Sequence, residues 1–507
     1  MVEWSDGYVT SIDYTSGFYP GLSPLSQNFS LLIRGIAPVE LTDGFSYCEL
    51  GCGHGFSTTL LAAANPTGSF WGVDFNPAHV SSAERLAAAA RVENVTFLEQ
   101  SFAEALTASV PRLDFIALHG VWSWISGENR RAIIDFINAK LKPGGAVYIS
   151  YNALPGWAAH APLRQLLVER LRGKTDITPE VVNEAVRFAA RVRETGAAYF
   201  AANPHSAQRL ETIATSSRNY VAHEYFNRHW SPSYHADVAA DLSAAKLVFA
   251  APSEVAEHFD QRLLKPAAQE LLKELADSSA RETIIDYYMN RQFRRDLFVR
   301  GARELSARER EERLLATRFA MIAPQPKYPF KLRFPLGEVT LEQSPYEEML
   351  NALAEQPLTL GQLLSKTDVG RLGSQVVFQA VILSVVARLI APTLDPEGES
   401  ERRKSTAPFN QAVLSQLVGD RQEQTLASPV LGTGIPVPHV HQVFLATKAA
   451  DAGLPVDTVV AAITARHQHL LKKGKPVTSL EDTRSELQGA LSEFRQSRFP
   501  IYQRLGL

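Results

Sequence analysis

Two carboxylates, Glu49 and Asp74, stand on either side of the glycine-rich run Gly51-Cys52-Gly53-His54-Gly55 in this 507-residue chain. Glycines let a backbone turn sharply and approach a ligand with no Cβ in the way, and a helix that starts just after the turn adds a partial positive charge. Such a turn suits an anionic or carboxylate-bearing cofactor. An acid about 20 residues past it suits the two hydroxyls of a ribose. Further along, His119-Gly120-Val121-Trp122-Ser123-Trp124 and Tyr151-Asn152 to Trp157 bring together indoles, a phenol, an imidazole and an amide, which could wall a dry reaction chamber.

The elements that must position these residues follow from pattern. Ser46-Tyr47-Cys48-Glu49-Leu50 is a short apolar-rich strand, Phe56 to Ala64 has helix-forming composition, and Ser69-Phe70-Trp71-Gly72-Val73 is a second strand ending at Asp74. Pro77 opens an Ala-rich helix to about Val92, before strands at Val95-Leu98 and Leu113-Leu118. A helix over 127–141 then leads through Leu141-Lys142-Pro143-Gly144-Gly145 into strand Ala146-Tyr151. This alternation predicts an α/β fold with a doubly wound, mostly parallel sheet. Ligands of such sheets lie beyond the carboxyl ends of the strands, so the residues after Leu118 are expected at the reaction centre.

A ribose-binding acid serves nicotinamide cofactors and S-adenosylmethionine (SAM) alike. The dinucleotide fingerprint needs glycine where this chain has Phe56. The run Glu-Leu-Gly-Cys-Gly-His-Gly instead resembles the first motif of class I SAM-dependent methyltransferases, and the Pro-Gly-Gly turn before the fifth strand is another feature of that class. The segments HGVWSWIS (His119 to Ser126) and SYNALPGW (Ser150 to Trp157) narrow the likeness. They resemble bacterial methyltransferases that carry a methyltransferase regulatory domain, a group that includes rickettsial protein-lysine methyltransferases acting on a surface protein. Tyr220-Val221-Ala222-His223-Glu224-Tyr225-Phe226, followed by His229-Trp230, resembles the start of that regulatory domain. The resemblance covers residues 8–157 and about 213–300. It implies a Rossmann-like class I core followed by α+β regulatory and mainly helical C-terminal domains, with SAM as cofactor and S-adenosylhomocysteine as product. A protein lysine is the acceptor it implies.

Glu49 is the candidate for the ammonium end of the cofactor and Asp74 for its ribose, with Gly51, Cys52, Gly53, Gly55 and Phe75 around the turn. Ser101 or Phe102, after the third strand, are candidates for the adenine edge, and His119 for a further polar contact. Residues 7–28 carry Tyr8, Tyr14, Phe18 and Tyr19 among Gly and Pro ahead of an apolar helix near Pro24 to Ile36. These aromatics either cap the cofactor cleft or pack the segment onto the core, and Tyr14 and Tyr19 are the site candidates.

Methyl transfer from a sulfonium is an in-line displacement, so the enzyme must align acceptor and methyl and keep water away. An amine acceptor must be neutral to attack, and desolvation in an aromatic slot lowers its pKa. Aromatic faces also favour the cationic sulfonium. Trp122, Trp124, Tyr14, Tyr19, Tyr151 and Trp157 are therefore the candidate walls, and His119 and Asn152 the polar members. His119 acts either as a base or as a structural hydrogen bonder at the strand end.

Composition bounds the rest. Hydrophobic content of 45%, 21% charged residues and a net charge of −3 describe an ordinary globular chain with no global bias toward nucleic acid. Cys48 and Cys52 are the only cysteines, too few for a zinc site or a disulfide framework, and read as small buried side chains in a reducing compartment. No metal is expected. Pro436-Val437-Pro438-His439-Val440-His441 pairs two histidines without an acid or thiol to complete a site. The N-terminal residues are acidic and polar, no apolar run of about 18 residues occurs, and the expected location is cytoplasmic, without membrane insertion.

The expected organisation is a SAM-binding core with an N-terminal lid over 1–157, a helical insert over 158–212, a regulatory domain over 213–323, a winged-helix-like module over 324–400 and a helical region over 401–507. Leu163, Leu166, Leu167 and Leu171 fall at helix spacing in the insert, which either covers the cleft or makes a homodimer contact. Arg164, Arg170 and Arg172 read as a solvated face. Arg291-Gln292-Phe293-Arg294-Arg295 with Arg300 and Arg303 reads as an exposed, salt-bridged helix. Pro324 to Pro335 is a candidate linker, and the following strand and three helices are arranged like a winged helix. Its third helix, with Val376-Val377-Phe378-Gln379-Ala380-Val381, lacks phosphate-binding side chains, so a protein-contacting scaffold is expected. Helices are expected over Asp457-Leu471 and Ser479-Arg495, packing against the rest. Three readings compete with protein methylation: methylation of a glycan or small metabolite, a SAM-bound sensor or scaffold without turnover, and, more distantly, a dehydrogenase.

Overall fold

The computed structural model describes residues 4–12, 17–42, 44–172, 174, 177–415, 425–447, 460, 471–472, 475–476 and 479–507. A seven-stranded sheet forms its centre. Strands β1 (Ser46–Leu50), β2 (Ser69–Asp74), β3 (Val95–Glu99), β4 (Leu113–Leu118), β5 (Leu141–Asn152), β6 (Leu247–Pro252) and β7 (Phe293–Arg300) lie in the order β3-β2-β1-β4-β5-β7-β6. β1 to β5 run parallel, and β7 is antiparallel to both β5 and β6. All five residues of β1 are buried, as expected for a parallel strand covered on both faces.

The connecting helices explain the coverage. α1 (Pro24–Ile33) precedes the sheet, and α2 (Phe56–Ala64), α3 (Pro77–Ala89), the short α4 (Phe102–Ala105) and α5 (Gly127–Lys140) link β1 to β5. Every residue of α2 is buried, because the C-terminal region covers the face that the sheet does not. The Phe409 ring lies tilted against Phe56, centroids 5.8 Å apart, and Asn65 donates from Nδ2 to the carbonyl of Gly432 at 2.9 Å. Gly55, the residue before α2, has φ +69°, and a Cβ there would lie 2.4 Å from that of Ala83 on α3. Only glycine lets the turn enter α2 this close to α3.

After β5 the chain leaves the sheet through α6 (Ala161–Arg170), α7 (Pro179–Glu194), α8 (Ala198–Ala202), α9 (Pro204–Thr215) and α10 (Arg218–Tyr225). These helices share one core with Val9, Ile12 and Trp157, built on Leu163, Leu167, Val182, Ala185, Leu210 and Tyr225. Arg164 departs from the solvated face expected of it. It is buried, with Nη2 on the Asn227 carbonyl and its guanidinium 4.9 Å from the Trp230 ring centre. Arg170 and Arg172 pair with Glu184 and Glu169 at the surface.

The segment expected as a separate α+β regulatory module instead completes the central sheet, since its strands β6 and β7 add to the edge of β5. The basic stretch around Arg294 is β7, not an exposed helix. Arg294 is 1% exposed and bonds Asp296, Asp286 and Glu282 at 2.7–3.0 Å. Its partners come from the helix Ser278–Met289 as well as from its own strand, and a buried guanidinium needs that many acceptors to be tolerated.

Beyond it, Phe330–Phe334 and Gly337–Leu341 form a hairpin within and after the proposed linker. Helices Gln343–Glu355, Leu360–Ser365 and Ser374–Val386 follow, packed with a small sheet in which Arg318–Met321 pairs with Leu358–Thr359 and Ile390–Thr393. The central strand of that sheet thus comes from before residue 324. Most of Asp457–Leu471 lies outside the described residues, and Leu480–Glu493 is helical. No helix among the described residues is long and apolar enough to cross a membrane.

Candidate active site

Where β1, β2, β3 and β4 end, a cavity of about 400 Å³ opens. Its floor is the glycine turn, and its walls include Glu49, Gly51, Cys52, Gly53, Asp74, Phe75, Ser101, Phe102, Tyr19, His119 and Trp124. Of the residues singled out around the turn, Gly55 alone is absent from the walls, because it faces α3 and Phe97 instead.

The two carboxylates are both buried and have different partners. Asp74 accepts the N–H of Gly53 at 2.8 Å on Oδ2 and that of Asn76 at 3.0 Å on Oδ1, with His79 Nδ1 3.2 Å away. It therefore braces the turn. A carboxylate has about four lone-pair sites, so capacity is left for a ligand hydroxyl. Glu49, 5% exposed, accepts the Thr58 hydroxyl at 2.6 Å. Burial pushes its carboxyl up to about 7, opposed by that hydrogen bond and reinforced by Asp74. No cation among the described residues contributes to its state. A buried acid without a counter-ion fits a ligand that brings its own ammonium.

The adenine side offers a group the sequence did not single out. Gln100 lines the cavity, and its Oε1 is buried without a hydrogen-bond partner among the described residues. An orphaned acceptor there matches an exocyclic amine. Ser101 is less available, because its side chain forms a capping box with Glu104 at the start of α4. Phe102 and Phe75 supply apolar wall. These observations fit SAM, which supplies when bound a methyl group on a positively charged sulfur. Among the described residues no cluster of His, Cys, Asp or Glu could hold a metal.

His119 follows directly on β4, with Nδ1 2.8 Å from the Tyr148 hydroxyl and its ring stacked on Tyr19, centroids 3.6 Å apart. Burial, with Arg295 adding to it, lowers its pKa to about 3. An imidazole this reluctant to take a proton stays neutral and is a poor base for an ammonium. Its geometry is that of a fixed hydrogen bonder holding Tyr19 over the cavity.

The indoles separate. The single 3₁₀ turn Trp122–Trp124 sends Trp124 to the cavity and Trp122 into the core beside Ile133 and Phe136, fully buried, with Arg130 over its ring at 5.4 Å. Tyr151 is also away from the cavity. Side chains alternate along a strand, so Tyr148, Ser150 and Asn152 share one face of β5 and Tyr151 the other. There its hydroxyl donates to Asp296 Oδ2 at 2.7 Å, within the Arg294 cluster. Trp157 is 2% exposed and packs edge-on against Trp230 at 5.3 Å, with Arg209 over its ring at 4.8 Å. It props α9 and α10. Asn152 is buried one layer behind the cavity, its N–H donating to Ser123 Oγ at 2.8 Å. Tyr14 lies outside the described residues.

The N-terminal segment covers the opening. Trp4, Ser5, Asp6 and Tyr8 join the cavity wall, Tyr8 meeting Phe75 edge-on at 5.9 Å and His223 at 5.5 Å. Asp6 ties this cover down through Asn129 Nδ2 at 3.1 Å and His229 Nε2 at 3.3 Å. In sequence only the aromatic density of residues 8–19 pointed to it.

Comparisons with known proteins bear on the chain's family and fold. Residues 41–207 match a family described as a methyltransferase domain, and residues 217–300 one described as a predicted methyltransferase regulatory domain. A protein of the cyanobacterium Synechocystis sp., itself uncharacterized, is 37% identical over 504 residues, 99% of each chain. An uncharacterized protein of Rickettsia prowazekii is 27% identical over 191 residues, 35% of this chain and 70% of that one. Among solved structures, PKMT2 from Rickettsia typhi in complex with AdoHcy has the same fold, with TM-score 0.70 and 19% identity over 95% of this chain and 98% of that one.

Proposed function

Because the chain belongs to the family of SAM-dependent methyltransferases that carry a methyltransferase regulatory domain, we propose that it methylates the side-chain amine of lysine in a protein substrate. The observation that carries this reading is the cavity itself. Its walls hold a buried acid without a cation, a second acid braced against the glycine turn, and the aromatic rings of Tyr8, Tyr19 and Trp124. In this reading Asp74 receives the ribose hydroxyls, Glu49 the ammonium of the methionyl end and Gln100 the adenine amine. Trp124, Tyr8 and Tyr19 form the neck through which a long, narrow acceptor reaches the methyl group. A lysine side chain suits such a neck, since it is an unbranched chain that ends in nitrogen. The fold shared with the rickettsial protein-lysine methyltransferase PKMT2 over nearly the whole chain supports the same acceptor.

The chain's own residues then do three things. The cover formed by residues 4–8 excludes water, the aromatic neck strips the acceptor amine of solvent and so favours its neutral form, and neutral His119 holds Tyr19 in place without competing for the proton. We place the reaction in the cytoplasm, consistent with the free, buried thiols of Cys48 and Cys52.

Incubating the protein with tritiated SAM and cell lysate tests this reading. Label is expected in protein bands, and as methylated lysine after acid hydrolysis. Label in small molecules would move the acceptor to a metabolite, and SAM binding without any label would leave a sensor or scaffold.

A further inference from the structure

A second cavity, of about 40 Å³, adjoins the first, and Tyr8, Gly120 and Trp124 belong to the walls of both. Its far side is α10, which brings Tyr220, His223 and Glu224 to it from the regulatory segment. Glu224 is partly open to this space and otherwise enclosed by protein. Groups from three other elements face it. Burial raises its carboxyl to about 7, against the pull of Arg209 on α9, the Asn152 amide at the end of β5 and Arg164 on α6. Tyr220 and Tyr225, on its own helix, feel its charge. The two arginines are already engaged, Arg209 with the Tyr225 hydroxyl at 2.8 Å and Arg164 with the Asn227 carbonyl. Asn152 Nδ2 is buried near Glu224 without a well-aligned hydrogen bond to any described group.

A carboxyl at the end of a short space walled by Tyr8, Trp124 and Tyr220 has the chemistry that recognises an alkylammonium. The cation faces aromatic rings, and its N–H groups meet an oxygen. The volume suits a terminal methylene and nitrogen and is too small for a sugar or a base. Resting on the lysine reading above, we propose that this cavity is the acceptor subsite and that Glu224 holds the substrate ammonium and takes its proton. The balance is simple. One proton passes from nitrogen to the Glu224 carboxylate, and the freed lone pair forms the N–C bond as the C–S bond breaks. The electron pair of the broken bond stays on sulfur as a neutral thioether, and the methylammonium product keeps the positive charge. The regulatory segment thereby contributes a catalytic residue.

Wild type, Glu224→Gln and Glu224→Asp are compared at saturating SAM, using the lysate protein fraction that takes label as acceptor and n-butylammonium as competing probe. Wild type is expected to show an acid limb near pH 7, and Glu224→Gln to keep its SAM affinity, lose about 100-fold in kcat/KM for the acceptor and lose that limb. n-Butylammonium should compete with the acceptor in wild type and at least about tenfold more weakly in Glu224→Gln. Glu224→Asp should restore the limb. If wild type labels lysine while Glu224→Gln keeps both rate and limb, the Glu224 assignment is overturned and the lysine reading stands. If wild type labels no amine, the lysine reading falls. Should Glu224→Gln fail to melt cooperatively, the wild type decides: a limb near pH 7 with competition by n-butylammonium supports the subsite, and a flat profile without competition overturns it.

Discussion

Glutamine at position 49 preserves an acceptor for the Thr58 hydroxyl and removes only the charge, so Glu49→Gln isolates how the site handles an ammonium. The carboxyl stands at about 7 because it is buried, with Thr58 pulling down and Asp74 pushing up. The neighbouring Tyr47, Cys48 and Cys52 are themselves raised by burial and stay neutral. The native side chain binds its proton more tightly than an unfolded glutamate does. Its contribution to stability is therefore full below about pH 4.5 and is lost as pH rises through 7. The rise from 4.5 to about 7 corresponds to about 3 kcal/mol in the ligand-free protein. Ligand-free Glu49→Gln should accordingly melt higher than wild type at pH 8 and no higher at pH 4. Cofactor binding reverses the preference, since an ammonium beside Glu49 favours the carboxylate. Calorimetry at pH 6.5 in two buffers of different ionisation enthalpy should show wild type releasing roughly 0.7 proton per SAM bound, and Glu49→Gln close to none. At pH 8 the variant should bind more weakly by about 1.5–3 kcal/mol, the usual worth of a hydrogen bond to a charged group. Equal proton release in both proteins, or unchanged affinity in the variant, would refute the pairing of Glu49 with the ammonium.

Three further outcomes follow from other parts of the molecule. Gly55→Ala forces a left-handed residue and a Cβ 2.4 Å from that of Ala83, so denaturant unfolding should show a loss of about 2–4 kcal/mol. Full stability in that variant would mean that the turn is not packed as described. Trp124→Ala should lower turnover by at least about tenfold while changing SAM affinity less, because the indole stands at the neck between the cavities; loss of SAM binding alone would contradict its place there. Arg294→Met leaves Glu282, Asp286 and Asp296 around an uncharged side chain. Chemical denaturation should report a loss of about 3–5 kcal/mol, partly recovered as pH falls, because Asp286, pushed up to about 6 by burial even with Arg294 pulling it down, takes a proton more readily once that cation is gone.

The strands of the core and the pairing of Glu49 with Asp74 were legible because they depend on local pattern. An apolar run, a glycine turn and an acid at fixed spacing determine one another over about 30 residues. What needed coordinates was orientation and long-range partnership. Nothing in Tyr151-Asn152 says which of the two faces the cavity, and strand parity relative to His119 puts Tyr148 and Ser150 on that side. Trp122 and Trp124 differ only by their places in one tight turn. The Arg294 stretch was misread because its acids Glu282 and Asp286 precede it on a separate helix, so local charge balance suggested a solvated surface. The regulatory segment reads as a module of its own because β6 begins at Leu247 and β7 at Phe293, far beyond the end of β5 at Asn152, distances over which sequence pattern carries no pairing information. Gln100 carries no motif, and Glu224 lies within a family-like segment that says nothing of its role; their interest lies in an unmet acceptor and in neighbours gathered from β5, α6 and α9.

The central claim is that SAM lies across the glycine turn with its sugar on Asp74 and its methionyl end at Glu49. A crystal structure of the S-adenosylhomocysteine complex tests this most directly. Both ribose hydroxyls are predicted within about 2.5–3.0 Å of the Asp74 carboxylate, with the ligand amino group turned toward Glu49 and its sulfur toward Trp124. A ligand bound outside this cavity, or one inside it with its ribose turned away from Asp74, would contradict the account.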